Sequence, residues 1–248
     1  MRPIAIITGA SHGIGAATAR LFAAEGYDIC VNYLSDAEAA SSVVDACSAA
    51  GARAIAVQGD MGSIGDIQAL FSACDEALGR VSCLINNAGI IGSASRIEAL
   101  EPAALERTFR VNVFGVMYCI QEATKRMSTR HGGTGGTIVN MSSIAAALGS
   151  PNEYVHYAAS KGAVETISVG AGKELASEGI RVNAIRVGTT NTRIHTHGGN
   201  PERPARIAAL TPMGRIAEPE DIARAALWLA SPGSGFVTGT LLTVSGGF

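Results

Sequence analysis

The chain has 248 residues, a formal net charge of −2 and a hydrophobic fraction of 47%, which suits one sizeable α/β core and excludes a disordered chain. With only 16% charged residues it carries no basic stripe for nucleic acid. No apolar run approaches the roughly 18 residues of a membrane span.

The first apolar run, residues 3–7, reads as a strand buried on both faces of a parallel sheet and is too short for a signal segment. It runs into Thr8-Gly9-Ala10-Ser11-His12-Gly13-Ile14-Gly15, and a helical pattern follows over 16–25, with Gly26 as its stop. Strand, glycine turn and helix in that order form the context of a phosphate site: glycines admit the pyrophosphate to the backbone, and the helix amides and dipole stabilise it. The bland alternative is a glycine turn that merely packs strand on helix.

Alternation continues, with strands at 29–31, 54–57 and 83–85 and helices at 36–50 and 64–78. The third strand leads to Asp60 and the fourth into Asn86-Asn87-Ala88-Gly89. Pro102 is placed to open one long helix through Asn112 to about Met127, and 131–136 is a glycine-rich turn. A fifth strand at 137–141 delivers Ser142-Ser143, a helix carries Tyr157 and Lys161 to about Ser177, and 180–185 is a sixth strand. Over 188–213 the periodicity fails, as expected of a substrate lid. A helix at 218–230 and a strand at 241–244 complete the pattern, with no repeat and no linker. The prediction is a single-domain α/β fold, 1–248, with a doubly wound parallel (Rossmann-like) sheet and ligands at the carboxyl ends of its strands.

Tyr157 and Lys161 stand four residues apart, on one helical face, where a cation favours the phenolate and brings the phenol toward neutral pH for proton exchange. Ser143 is placed to hold the oxygen that exchanges the proton. The five cysteines are odd in number and contain no C-x-x-C pair, so they read as reduced core residues of a cytoplasmic protein. His195 and His197 lack a third ligand and read as ordinary loop residues, so no metal is expected. Tyr154 reads as a pocket wall or core residue, and Trp228 as core or subunit interface.

Together, Thr8-Gly9-x-x-x-Gly13-Ile14-Gly15, Asp60, Asn86-Asn87-Ala88-Gly89, Asn112, Ser143 and Tyr157-x-x-x-Lys161 resemble the classical short-chain dehydrogenase/reductase family along essentially the whole chain. Within it the chain is most similar to the glucose 1-dehydrogenase and 3-oxoacyl-carrier-protein reductase types. The resemblance implies an NAD(P)-dependent oxidoreductase moving hydride between nicotinamide and a secondary alcohol or carbonyl compound. Ser143 then bonds the substrate oxygen, Tyr157 exchanges its proton, Lys161 tunes Tyr157 and holds the nicotinamide ribose, and Asn112 supports a water on the proton path. Gly9, Ser11, His12, Gly13, Ile14 and Gly15 surround the phosphates; Asp60 and Met61 meet the adenine; Asn87, Ala88 and Gly89 meet the adenosine ribose; Gly188, Thr190 and Thr192 face the carboxamide. The resemblance also implies a homo-oligomer, a tetramer by family habit.

Two departures stand out. Ser143 and Tyr157 are fourteen positions apart where the family has thirteen, so the loop through Gly149-Ser150-Pro151 absorbs a residue. Val187-Gly188 replaces the family's Pro-Gly, which loosens that turn. At the second strand's end Asn32 stands where a carboxylate would exclude a 2′-phosphate, and His12, Ser11 and Ser35 offer hydrogen bonds, so NADP is expected over NAD, with dual use as the alternative. The competing function is a dinucleotide-binding redox sensor without turnover. Among enzymes, sugar 1-dehydrogenase stands against 3-oxoacyl thioester reductase.

Overall fold

The computed structural model describes residues 2–192 and 203–248. Seven strands form one parallel sheet: β1 (Ile4–Ile7), β2 (Asp28–Tyr33), β3 (Ala54–Gln58), β4 (Cys83–Asn86), β5 (Gly136–Ser143), β6 (Ile180–Val187) and β7 (Leu241–Val244). Their order is β3-β2-β1-β4-β5-β6-β7. The direction of winding reverses between β1 and β4, which opens a crevice at their carboxyl ends.

Alternation along β1 shows why helices must cover both faces. Ala5 and Ile7 pack with Phe22 of α1 (Gly13–Ala24), Val43 of α2 (Ala37–Ala49) and Leu229 of α9 (Pro219–Ala230). Ile4 and Ile6 point the other way, to Phe71 of α3 (Ile64–Ala77), Ala123 of α5 (Val116–Met127) and Val164 of α7 (Val155–Glu174). Phe22 and Phe71 are both fully buried, each contributing about 1.5–3 kcal/mol. The five cysteines are free and buried, as expected.

Three local features differ from the expected pattern. The helix from Pro102 is not continuous: α4 (Pro102–Phe109) passes into a π segment, Arg110–Gly115, before α5. At its end the chain crosses so close to the Met61 carbonyl oxygen that a Cβ at Gly115 would overlap it. A short helix, α6 (Ala145–Leu148), follows β5, and α8 (Arg203–Leu210) lies within the stretch expected to be irregular. Residues 193–202 of that stretch, His195 and His197 among them, lie outside the described residues. No helix among the described residues is long and apolar enough to cross a membrane.

Candidate functional site

The carboxyl ends of the strands border a cleft of about 670 Å³. Its floor at β1 is shaped by glycine. Gly9 (φ 61°) packs on the Asn87-Ala88 turn, where a Cβ would sit 2.9 Å from the Ala88 Cα. At Gly15 a Cβ would lie 2.6 Å from both the Asn87 Nδ2 and the Gly9 carbonyl oxygen. Gly13 (φ 52°) faces Thr192, with 3.1 Å left between a Cβ and the threonine methyl. Helix α1 opens at Gly13 without a side-chain cap, and Gly13 and Ile14 line the cleft, so the positive end of the helix borders it and suits an anion.

Two side chains fasten this turn to the strands around it. The Thr8 hydroxyl accepts from the Asn87 and Ala88 amides, each at 3.0 Å, and the Asn87 amide group donates to the Thr8 and Gly9 carbonyls at 2.9 and 3.0 Å. Asn32, expected to meet the ribose end of a cofactor, lines the cleft but is 1% exposed. Its Oδ1 accepts from the Gly9 amide at 3.0 Å and its Nδ2 donates to the Gly59 carbonyl at 3.0 Å. Its side chain braces the turn from behind, a role set by partners far away in the chain.

At the β2 and β3 ends the cleft holds charge. His12 Nε2 lies 2.8 Å from the Asp36 carboxylate, and Asp36 also caps α2 by accepting from the Ala39 amide at 3.0 Å. Burial raises the Asp60 pKa, but the Arg107 hydrogen bond, the Gly62 amide and the charges of Arg107 and Arg110 outweigh it and hold the carboxyl below its ordinary range. The Arg107–Asp60 bridge is 2.8 Å long. Sequence reasoning missed both Asp36 and Arg107: one sits just past a strand, the other on a helix 47 positions from its partner, and neither belongs to a motif.

At the opposite end β5 delivers Ser143, whose hydroxyl oxygen accepts from the Ala145 amide at 3.1 Å. Gly149 (φ 74°), Ser150 (φ 43°) and Asn152 (φ 64°) turn the chain sharply, and α7 then begins. Tyr157 and Lys161 share one face of α7, with the Lys161 Nζ 5.7 Å from the ring centre. Lys161 is 5% exposed and donates to the Met141 carbonyl at 2.7 Å. Burial pushes its pKa from 10.5 down to about 8.

Asn112, in the π segment, is fully buried; it accepts from the Ile90 amide at 2.9 Å and donates to the Ile90 carbonyl at 2.8 Å and the Ser160 hydroxyl at 3.0 Å. It thereby ties the chain after β4 to α7. A Cβ on Gly89 would stand 3.4 Å from both Asn112 Oδ1 and Lys161 Nζ, so Gly89 keeps backbone close to both. A buried chain from Asn86 to Asn140 to Ser168, each link 2.8 Å, fixes β4, β5 and α7 behind the site. Thr190 is buried and donates to the Gly188 carbonyl at 3.0 Å, which closes the turn after β6. Tyr154, 2% exposed, lines the cleft, whereas Trp228 is half-exposed outside it. Among the described residues no cluster could hold a metal.

Residues 9–248 match the family model described as enoyl-(acyl carrier protein) reductase. The chain is 43% identical over 244 residues to an uncharacterized oxidoreductase, YgfF, of Escherichia coli (strain K12), covering 98% of this chain and 99% of that one. It is 41% identical to 3beta-hydroxysteroid dehydrogenase 1 of Eggerthella lenta, over 98% of this chain and 92% of that protein. With L-rhamnose 1-dehydrogenase (NAD(P)(+)) of a Sphingomonas strain it shares 36% identity, over 98% of this chain and 94% of that protein.

Proposed function

The chain belongs to the short-chain dehydrogenase/reductase family, and from that premise we propose that it interconverts a secondary alcohol and its carbonyl form through Ser143, Tyr157, Lys161 and Asn112. The observation that carries this reading is that one cleft has the glycine cradle at one end and the Ser143, Tyr157 and Lys161 side chains at the other. NAD(P)-dependent oxidoreduction is the chemistry of the family. The dinucleotide, when bound, supplies the two-electron acceptor or donor.

The chain's own residues do the rest. Ser143 donates to the substrate oxygen and orients it. Tyr157 takes the hydroxyl proton when the alcohol is oxidised and returns it when the carbonyl compound is reduced. The Lys161 ammonium beside the ring favours the phenolate, and in a buried setting that effect is larger than in water. Lys161 also reaches the nicotinamide ribose, and Asn112 holds the loop after β4 so that a water can pass the proton onward. Gly9, Ser11, His12, Gly13, Ile14 and Gly15 hold the phosphates, Asp60 and Met61 the adenine, Asn87, Ala88 and Gly89 the ribose, and Gly188, Thr190 and Thr192 the carboxamide. NADP is the favoured form, with NAD second, because Asn32 brings no charge and His12 and Ser35 face the same end; the Asp36 carboxylate beside His12 moderates the preference. The stretch 188–213 serves as the substrate lid.

Five free cysteines fit a reducing compartment, the cytoplasm. Phe114, Met117, Trp228 and Phe236 are large apolar residues at least 44% exposed, and such surface fits assembly into a homo-oligomer, a tetramer. The purified protein is to be screened for oxidation or reduction of each cofactor across sugars, simple alcohols, quinones and 3-oxoacyl thioesters. Turnover of one class supports the enzyme. Tight cofactor binding with no turnover of any would favour the sensor.

A further inference from the structure

Where the chain leaves β3, the wall of the cleft carries an ion pair that no sequence motif marks. Asp60 and Arg107 both line the cleft, and both side chains are partly exposed there. The aspartate is fixed from several sides. Its backbone amide donates to the Asp66 carboxylate at 2.8 Å, and its Oδ1 accepts from the Gly62 amide at 2.7 Å. Arg107, in the last turn of α4, then takes both carboxylate oxygens, Nη2 to Oδ1 at 3.1 Å and Nη1 to Oδ2 at 2.8 Å. A Cβ at Gly62 would stand 2.6 Å from Nη1, so glycine leaves room for the guanidinium. Against the upward pull of burial, the Arg107 hydrogen bond and the Gly62 amide hold the Asp60 carboxyl below its ordinary range.

Each oxygen of a carboxylate offers about two acceptor positions. Among the described residues, Gly62 and Arg107 fill both on Oδ1, whereas Arg107 fills one on Oδ2 and the other can take a donor arriving through the cleft. Met61 and Val111, each 5% exposed, line the same cleft with apolar surface. Apolar walls with one fixed acceptor suit a flat heteroaromatic ring that carries an amino group. With the diphosphate at the glycine turn and the reacting ring at Tyr157, the base of the dinucleotide falls at this end. Resting on the dinucleotide-dependent reading above, we infer that Arg107 is a positioning residue that sets base specificity: by locking Asp60 as an acceptor, it makes the cleft select a 6-amino purine over a 6-oxo purine. The oxo base sets an oxygen where the amino group would donate, and a fixed carboxylate repels it. The N1–H of that base lies one ring atom further along the edge, out of line while the glycine turn holds the diphosphate.

Calorimetric titration with nicotinamide adenine dinucleotide and nicotinamide hypoxanthine dinucleotide, each with and without the 2′-phosphate, tests this independently of the substrate. Wild type should bind the adenine form at least about tenfold tighter than its oxo counterpart, the worth of one hydrogen bond to a charged group. Asp60→Asn keeps an acceptor for the Gly62 amide but puts an NH2 group in place of the second oxygen, so the ratio should fall to within about threefold of unity or reverse. Arg107→Met should weaken the adenine form at least about threefold and leave the oxo form within about twofold, since only the adenine form uses the locked acceptor. Arg107→Lys, which keeps the charge but not the two-point grip, should fall between. Equal binding of both bases by wild type, an Asp60→Asn ratio unchanged from wild type, or an Arg107→Met loss shared equally by both bases overturns the inference and leaves the dinucleotide-dependent reading standing. Should Arg107→Met fail to fold, the wild-type, Asp60→Asn and Arg107→Lys ratios decide. Failure of wild type to bind any of the four dinucleotides overturns both.

Discussion

Replacing Lys161 with methionine should stabilise the cofactor-free protein at neutral pH and destabilise it at alkaline pH. Burial lowers the Lys161 pKa from 10.5 to about 8. At about 1.4 kcal/mol per pH unit that displacement corresponds to about 3 kcal/mol held against the fold wherever both folded and unfolded chains carry the proton, below about pH 8. Between about 8 and 10.5 the unfolded chain binds more protons than the folded one, so the wild type gains stability as pH rises and the penalty falls to about 1 kcal/mol by pH 10. Methionine removes the penalty but also removes the donor to the Met141 carbonyl, leaving a buried acceptor at a cost of about 2 kcal/mol. The difference, variant minus wild type, is then about +1 kcal/mol at pH 7 and about −1 kcal/mol at pH 10. Urea denaturation of both proteins at the two pH values reads it directly. A difference that does not move with pH would mean that the ammonium is not desolvated and that its tuning of Tyr157 is misjudged.

Gly15→Ala places a Cβ 2.6 Å from the Asn87 amide group and the Gly9 carbonyl, and should cost about 1–3 kcal/mol in denaturation and at least about tenfold in cofactor affinity. Gly170→Ala, where a Cβ meets nothing, serves as the control and should gain up to about 1 kcal/mol. Asp36→Asn keeps an N-cap residue on α2 but removes the carboxylate beside His12, so the kcat/KM ratio of NADP to NAD should rise about fivefold to tenfold; an unchanged ratio would place the 2′ position elsewhere.

The layout of the fold was legible because buried parallel strands leave short continuous apolar runs, and seven such runs ended in turn residues. The glycine turn and Ser143, Tyr157 and Lys161 were singled out by their spacing, and the fold brings them to one cleft. The π segment was not, since nothing in the residue types of Arg110–Gly115 marks a change of hydrogen-bond register, and the close approach of Gly115 to the Met61 carbonyl is a tertiary contact. Helix α6 is four residues long, too short for a periodicity to show. The bracing role of Asn32 was hidden for a related reason: its amide is held by Gly9 and Gly59, a pairing that only folding creates.

The central claim is that Tyr157 carries the proton. It is tested most directly by steady-state turnover of Tyr157→Phe alongside cofactor titration of the same preparation. The account predicts a loss of about 100- to 10,000-fold in kcat with cofactor affinity nearly unchanged, because the ring stays and only the exchangeable proton is deleted. Activity within about a factor of three of wild type would contradict it, since a positioned acid cannot be removed at so small a cost.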